Sequence, residues 1–145
     1  MNELLNLQAI TKIADLKSAM MDSIATGDLI EIEPPLAHYF AKGLYGRRIY
    51  VPAGFTVVTK VHLSQHITIA LKGHCTLVDE QGNKQEIYAP GVWVTEPGTQ
   101  RAVHCHDDVE WLTVHAVDST DLEEIETTLV CETFDEYNIK LLARN

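Results

Sequence analysis

The sequence predicts a mainly β domain, a sandwich or small barrel, with a helical segment on either side. Three observations carry that expectation. From about residue 45 to 117, short β-branched runs alternate with turn residues at strand spacing, and no helical period runs between them. An apolar repeat of three and four residues precedes this region, and an acidic segment with a helix-start pattern follows it. The chain has 145 residues, 46% of them hydrophobic, enough for one core. The expected organisation is therefore one compact domain: a helical arm over 1–35, a barrel over 36–118 and a helical tail over 119–145.

In the arm, Ile10, Ile13, Leu16, Met20 and Ile24 recur on one helical face, with Lys12, Asp15, Lys17 and Asp22 between them. Such a helix packs on the body or on a partner subunit. Gly27 is its expected stop, and Pro34-Pro35 forms a stiff joint before the strands. The strand runs are RRIYVPAG, TVVTKVHL, HITIALKG, HCTLVDEQGNK, EIYAPGVWVTEPG, RAVHCH and VEWLTVHAV. Gln81-Gly82-Asn83 reads as a hairpin connection, while Pro52-Ala53-Gly54 and Glu96-Pro97-Gly98 punctuate the sheet elsewhere. In the tail, Thr120 with Glu123 fits a capping box, and Asp121, Glu123 and Glu124 fall in the first turn, where the helix dipole favours negative charge. The acidic run is thus expected to be a solvated helix face. Phe134, Ile139 and Leu142 suggest a short second helix laid against the barrel.

A balance of 11 Lys and Arg against 21 Asp and Glu gives a formal charge of -10, which argues against a nucleic-acid polymer or an anionic membrane as partner. A local basic pocket remains compatible with it. No apolar stretch approaches the roughly 20 residues of a membrane helix, and no secretory signal pattern opens the chain, so a soluble, cytoplasmic protein is expected. Cys75, Cys105 and Cys131 are odd in number and form no C-x-x-C, which disfavours a disulfide framework or a zinc finger. G-x-S-x-G, G-x4-G-K-[ST] and G-x-G-x-x-G are all missing, so nucleophile-elbow hydrolysis, P-loop chemistry and dinucleotide binding have no support. His74 and Cys75 are adjacent on a strand and face opposite ways, which is no catalytic dyad.

The stretch from Gly54 to Gly73, containing KVHLSQH, together with EPGTQR, resembles the two motifs of the cupin superfamily, G-x5-H-x-H-x3-E-x6-G and G-x5-P-x-G-x2-H-x3-N. The resemblance covers roughly residues 45–117 and implies a double-stranded β-barrel, or jelly roll. In cupins three His and one Glu usually converge on a metal inside the barrel. Laid on the first motif, Gly54 and Gly73 keep both spacings, and Lys60, His62 and His66 stand at the His, His and Glu positions. In the second, Gly98 places Arg101 at the third His and Cys105 at the Asn; taking Pro97 as the motif proline places Ala102 there instead. A protonated lysine or arginine has no lone pair for a metal. More narrowly, LYGRRIYVPAG, VHLSQHITIALKG and EPGTQR resemble small cupin-like proteins of tailed phages, which implies a virus-encoded protein of the host cytoplasm.

Strand alternation then predicts the pocket. Lys60 and His62 share a face, as do His66, Thr68 and Ala70 on the next strand, and Arg101 projects into the same space if inward. Lys60, His62, His66, Thr68 and Arg101 would be donors around an anion, with Tyr50 among the aromatics near the mouth; Tyr45, Tyr88, Trp93 and Trp111 are further candidates for stacking a ring. The alternative is a divalent transition metal held by His62, His66 and His104 or His106. The two compete for one strand, because Arg101 inward turns His104 and His106 outward unless a bulge intervenes. His115 reads as a core or interface histidine. With no cofactor favoured, the expectation is a non-catalytic homo-oligomer holding an anionic small molecule such as a nucleotide or cyclic nucleotide. For a phage protein the resemblance implies a sponge for a defence signal. The alternatives are a metal-dependent cupin isomerase, dioxygenase or hydrolase, and a structural protein with a vestigial cavity.

Overall fold

The computed structural model describes residues 13–27 and 33–132, with Glu136 and Asn138 beyond them. Ile10, Lys12 and the expected final helix with Phe134, Ile139 and Leu142 lie outside the described residues. The elements in chain order are α1 (Ile13–Thr26), β1 (Leu36–Ala41), β2 (Leu44–Val51), β3 (Thr56–Val58), β4 (Val61–His62), β5 (His66–Lys72), β6 (His74–Val78), β7 (Lys84–Tyr88), β8 (Gly91–Thr95), β9 (Ala102–Cys105), β10 (Val109–His115), α2 (Leu122–Leu129) and β11 (Val130–Cys131). No helix among the described residues is long and apolar enough to cross a membrane.

The strands form two antiparallel sheets that face each other, ordered β1-β2-β10-β5-β8 and β3-β9-β6-β7, and a small pair β11-β4. This is the expected mainly β jelly-roll barrel. Apart from the β1–β2 and β6–β7 hairpins, neighbours in the sheets are distant in sequence, and their pairing turns the alternating pattern of each run into one shared inner face. Arg47, Thr113, Thr68 and Trp93 lie side by side across four strands of the larger sheet, as do Ile49, Trp111, Ala70 and Gly91. One end of the interior is apolar: Val51, Cys75, Val103, Cys105 and Val109 are buried together, with Phe55, Ile87 and Trp111 packed on them. The other end is polar and carries His66, Thr68 and His115, all buried.

Turn chemistry agrees with the sequence. Asp79 accepts the amides of Gln81 and Asn83, each at 2.9 Å, and Gly82 takes φ 84°, closing the β6–β7 hairpin. Gly73 is demanded twice over: its φ is 92°, and a Cβ there would sit 2.3 Å from the Asp108 carbonyl oxygen.

The helices cover opposite parts of the barrel. Ile13 and Leu16 of α1 pack on Val78 and Ala102, burial that contributes roughly 1.5–3 kcal/mol for a side chain such as Leu16. Ile125 and Leu129 of α2 pack on Tyr45. Two tail expectations need correction. The N-cap of α2 is Asp121, not Thr120: its carboxylate accepts the amides of Glu123 and Glu124 at 3.0 and 3.3 Å, answering two open donors with a full charge at the positive end of the helix. The tail also supplies a strand, because Val130 and Cys131 pair with His62 and Val61 and bury Cys131 against Val61 and Leu63.

Candidate functional site

Every second side chain of β2, β5 and β10 points inward, and at the polar end these are aromatic, basic or hydroxylic. The His66 ring lies 4.8 Å from His62 and 4.4 Å from His115, and Tyr45 follows 5.9 Å beyond His115. Tyr45 is anchored in turn by a 2.7 Å bond between its hydroxyl and His38 Nδ1. The result is a file of rings along the inner wall.

Hydrogen bonds assign two tautomers. His62 Nδ1 donates to the Thr99 carbonyl and His66 Nδ1 to the Ser64 carbonyl, both at 3.1 Å, and a carbonyl can only accept. In the neutral ring, Nε2 of each then carries a lone pair. His115 bonds through Nε2 to the Thr113 hydroxyl at 2.8 Å, while its Nδ1 is buried without a partner. Burial pushes the His62 pKa down to about 4, helped by His66, Arg101 and Arg47; burial, His66, His62 and Arg47 push His115 down to about 3. Burial lowers His66 as well. The three imidazoles are therefore neutral at pH 7.

A cavity of about 530 Å³ opens where β7 and β8 form the edges of the two sheets; Leu77, Gln85, Ile87, Trp93, Thr95 and Arg101 line it, and Glu86 and Glu96 also border it. It reaches the histidines through two threonines: Thr95 bonds Thr68 hydroxyl to hydroxyl at 2.7 Å, and Thr99, also in the lining, holds His62. Trp93 stands edge-on to Trp111, centroids 5.1 Å apart, so one of the wall's indoles borders the open space.

His62, His66 and Thr68 are thus brought together at the polar end, and Arg101 reaches the cavity lining, where its Nη1 is 2.7 Å from Glu80 Oε1. Three expectations are corrected. Lys60 does not enter the barrel; it sits in the break between β3 and β4, where alternation is lost, and pairs with Glu126 and Glu132 near the surface. Tyr50 lies on the outer face, alternating with inward Ile49 and Val51, and bonds to Asp108. His104 also faces outward, bonded to Thr56 Oγ1 at 2.7 Å, so His62, His66 and His104 are not one metal site. Among the other aromatics, Tyr45 is buried core and Tyr88 lines the rim.

Sequence reasoning missed Arg47, and it read His115 as a core or interface histidine, which is buried as expected but stands in the row of imidazoles. Arg47 is inward by register, opposite Thr113, and close enough to His62 and His115 to oppose their protonation. It has no hydrogen bond or ion pair with another described residue. The alternation Tyr45, Arg47, Ile49, Val51, in which the other three are apolar, is the signal that places it inside.

No family model matches the chain, and no curated protein matches it in sequence. Solved structures do match in shape. Salicylate 1,2-dioxygenase from Pseudaminobacter salicylatoxidans superposes with a TM-score of 0.55 at 10% identity, covering 78% of this chain and 35% of that one. A cupin superfamily protein from Desulfitobacterium hafniense gives a TM-score of 0.50 at 11% identity, over 62% of this chain and 83% of the other. The chain has a cupin fold. Identities this low speak for the fold alone.

Within the cupin barrel, the residues do not fit the superfamily's usual metal set. Of the four motif positions only His62 and His66 offer lone pairs, since Lys60 has left the interior and Arg101 is a cation bound to Glu80. The barrel interior holds no group of three donors within 4.8 Å of one another among the described residues.

Proposed function

We propose that this cupin is a non-catalytic holder of a small anionic molecule, taken into the cavity between β7 and β8 with its charge toward Arg47. The observation that supports it is the pairing pattern of the cations. Lys60 and Arg101 are bonded to carboxylates, whereas Arg47 faces the polar end with no hydrogen bond or ion pair to a described residue, only the longer-range field of Glu126. A planar guanidinium in a partly enclosed site is well suited to a phosphate or carboxylate. Arg101 and the Thr95 hydroxyl, itself bonded to Thr68, add polar groups at the wall. His62 and His66 become donors at Nε2 once an anion raises their affinity for a proton.

Trp93 in the lining favours an anion that carries a ring, which makes a nucleotide or cyclic nucleotide the specific form of this reading. The resemblance to tailed-phage proteins extends it to a sponge that withdraws a defence signal in the host cytoplasm. Assembly into a homo-oligomer belongs to the same proposal: Ile67, Leu71, Val92 and Val94 leave an apolar stripe on the outer face of the larger sheet, exposed by 45, 41, 70 and 55%. Native mass spectrometry after gentle purification is the test. A retained anionic small molecule, or thermal stabilisation by a nucleotide from a panel, supports the proposal; neither, across nucleotides and cyclic nucleotides, overturns it.

A second reading has one observation in its favour. His62 and His66 each donate Nδ1–H to a carbonyl, the arrangement that orients metal-binding imidazoles, and the unpartnered His115 Nδ1 is beside them. A metal-dependent cupin enzyme would need these three to draw together, because their donor atoms do not form a close group as they stand; chelator treatment that abolishes small-molecule binding would favour it.

A further inference from the structure

The outer face of the four-stranded sheet carries a cluster that the barrel chemistry does not use. Cys75 and Leu77 of β6 turn inward, so His74 and Thr76 turn outward. In register, Tyr88 lies opposite His74 and Glu86 opposite Thr76 on β7, while His104 of β9 lies opposite Thr76 on the other side. His106, just past β9, is pinned there by its amide, which donates to the His74 carbonyl at 3.0 Å. Glu86 Oε1 is 2.7 Å from His74 Nε2 and 3.8 Å from His106 Nε2, and one donor atom from each of the three residues lies within 4.8 Å of the others.

We propose that His74, Glu86 and His106 form a surface site for a divalent first-row transition metal, with zinc as its simplest occupant. Two imidazole nitrogens and a carboxylate suit borderline ions such as zinc, cobalt and nickel, and three protein ligands leave room for water. Ligand atoms bound tetrahedrally at about 2.0–2.1 Å are roughly 3.3–3.4 Å apart. The Glu86 distances of 2.7 and 3.8 Å bracket that spacing, and the donor atoms, spread over as much as 4.8 Å, must draw in by side-chain rotation to close the site.

The site is also supported from outside the donors. Tyr88 stacks flat on His74 with centroids 4.2 Å apart and 9° between planes, while the Thr76 hydroxyl, 2.6 Å from His106 Nε2, is the partner that the ion would displace. His104, its own Nδ1 held by Thr56, stands edge-on to His106 at 5.1 Å and walls the remaining side. Bonds from Thr76 and His74 hold the Glu86 carboxyl below its usual range, ready ionised for a cation.

The ion would act on the cavity as well. β7 is an edge strand bonded in its sheet only to β6, and it forms one lip of the opening. A metal on Glu86 and His106 ties that lip to the end of β9, which stiffens the mouth that Glu86 itself helps to line.

Calorimetric zinc titration of the untagged protein tests this. One zinc per chain is expected, with binding weakened roughly thirtyfold or more in Glu86→Gln and in His106→Ala, and unchanged in His66→Ala. Zinc at about a hundredfold above its Kd should raise Tm by roughly 8 °C, and far-UV circular dichroism of each variant confirms that weakened binding reflects the lost ligand. Absence of saturable binding below about 1 mM in the wild type overturns the site, as does full binding by Glu86→Gln. Loss in His66→Ala alone also overturns it, by placing the ion inside the barrel.

Discussion

His66 of β5 and His115 of β10 meet ring to ring inside the barrel, with centroids 4.4 Å apart and 35° between their planes. Both are buried, and with His62 they form a row of imidazoles that the fold keeps neutral. A buried cation beside two others and Arg47 would be opposed from every side.

That relationship fixes the sign of a pH effect. The folded pKa values, about 4 for His62 and about 3 for His115, lie below the unfolded value near 6.5, so the unfolded chain binds more protons on acidification. Their contribution is fully present above pH 6.5 and is lost as pH falls toward 4. Urea unfolding at pH 7.5 and pH 5 should differ by on the order of 2–4 kcal/mol, with the acid sample weaker, and His115→Phe should reduce that difference.

Lys60 stands at a cupin ligand position yet lies outside the barrel, 3.1 Å from Glu132 and also paired with Glu126. Exposed pairs of this kind contribute little. Lys60→Ala should lower stability by no more than about 1 kcal/mol and leave small-molecule affinity within twofold, checked by denaturation and by calorimetry.

Gly73 closes the first cupin motif because Asp108 leaves no space for a side chain and because its φ is 92°. Gly73→Ala should destabilise by at least about 2 kcal/mol, read as a lower urea midpoint.

Cys75 and Cys105 face each other across β6 and β9 as free, buried thiols, with burial pushing their pKa values up to about 12 and about 11. Thiolate is the reactive form. Both should resist alkylation at pH 8 in the native protein and react on unfolding, measured by mass shift.

What the sequence revealed depended on range. Local signals served well: Gly82 in its hairpin and the β-branched runs act through neighbouring residues, and each is where the pattern placed it. Parity linked Arg101 inward to His104 outward without choosing between them, and only the structure shows His104 on the outer face. Parity failed at Lys60 because β4 is only Val61–His62 and a break precedes it. The Lys60 side chain leaves the face that His62 keeps. The place of His115 beside the other imidazoles could not be assigned from its own run, because it depends on β10 lying between β2 and β5, segments distant in sequence. The outer triad was hidden for the same reason: three strands bring His74, Glu86 and His106 together, and no local spacing announces them.

The central claim is that the barrel holds an anion through Arg47 rather than through a resident metal. Calorimetry of nucleotides and cyclic nucleotides with wild type and Arg47→Gln, in the presence of chelator, tests it most directly. The account predicts stoichiometric binding that survives the chelator, tightens as pH falls from 8 to 6 because the histidines take up protons, and weakens at least about tenfold in Arg47→Gln. Binding that disappears with chelator, or is equally tight in Arg47→Gln, would contradict it.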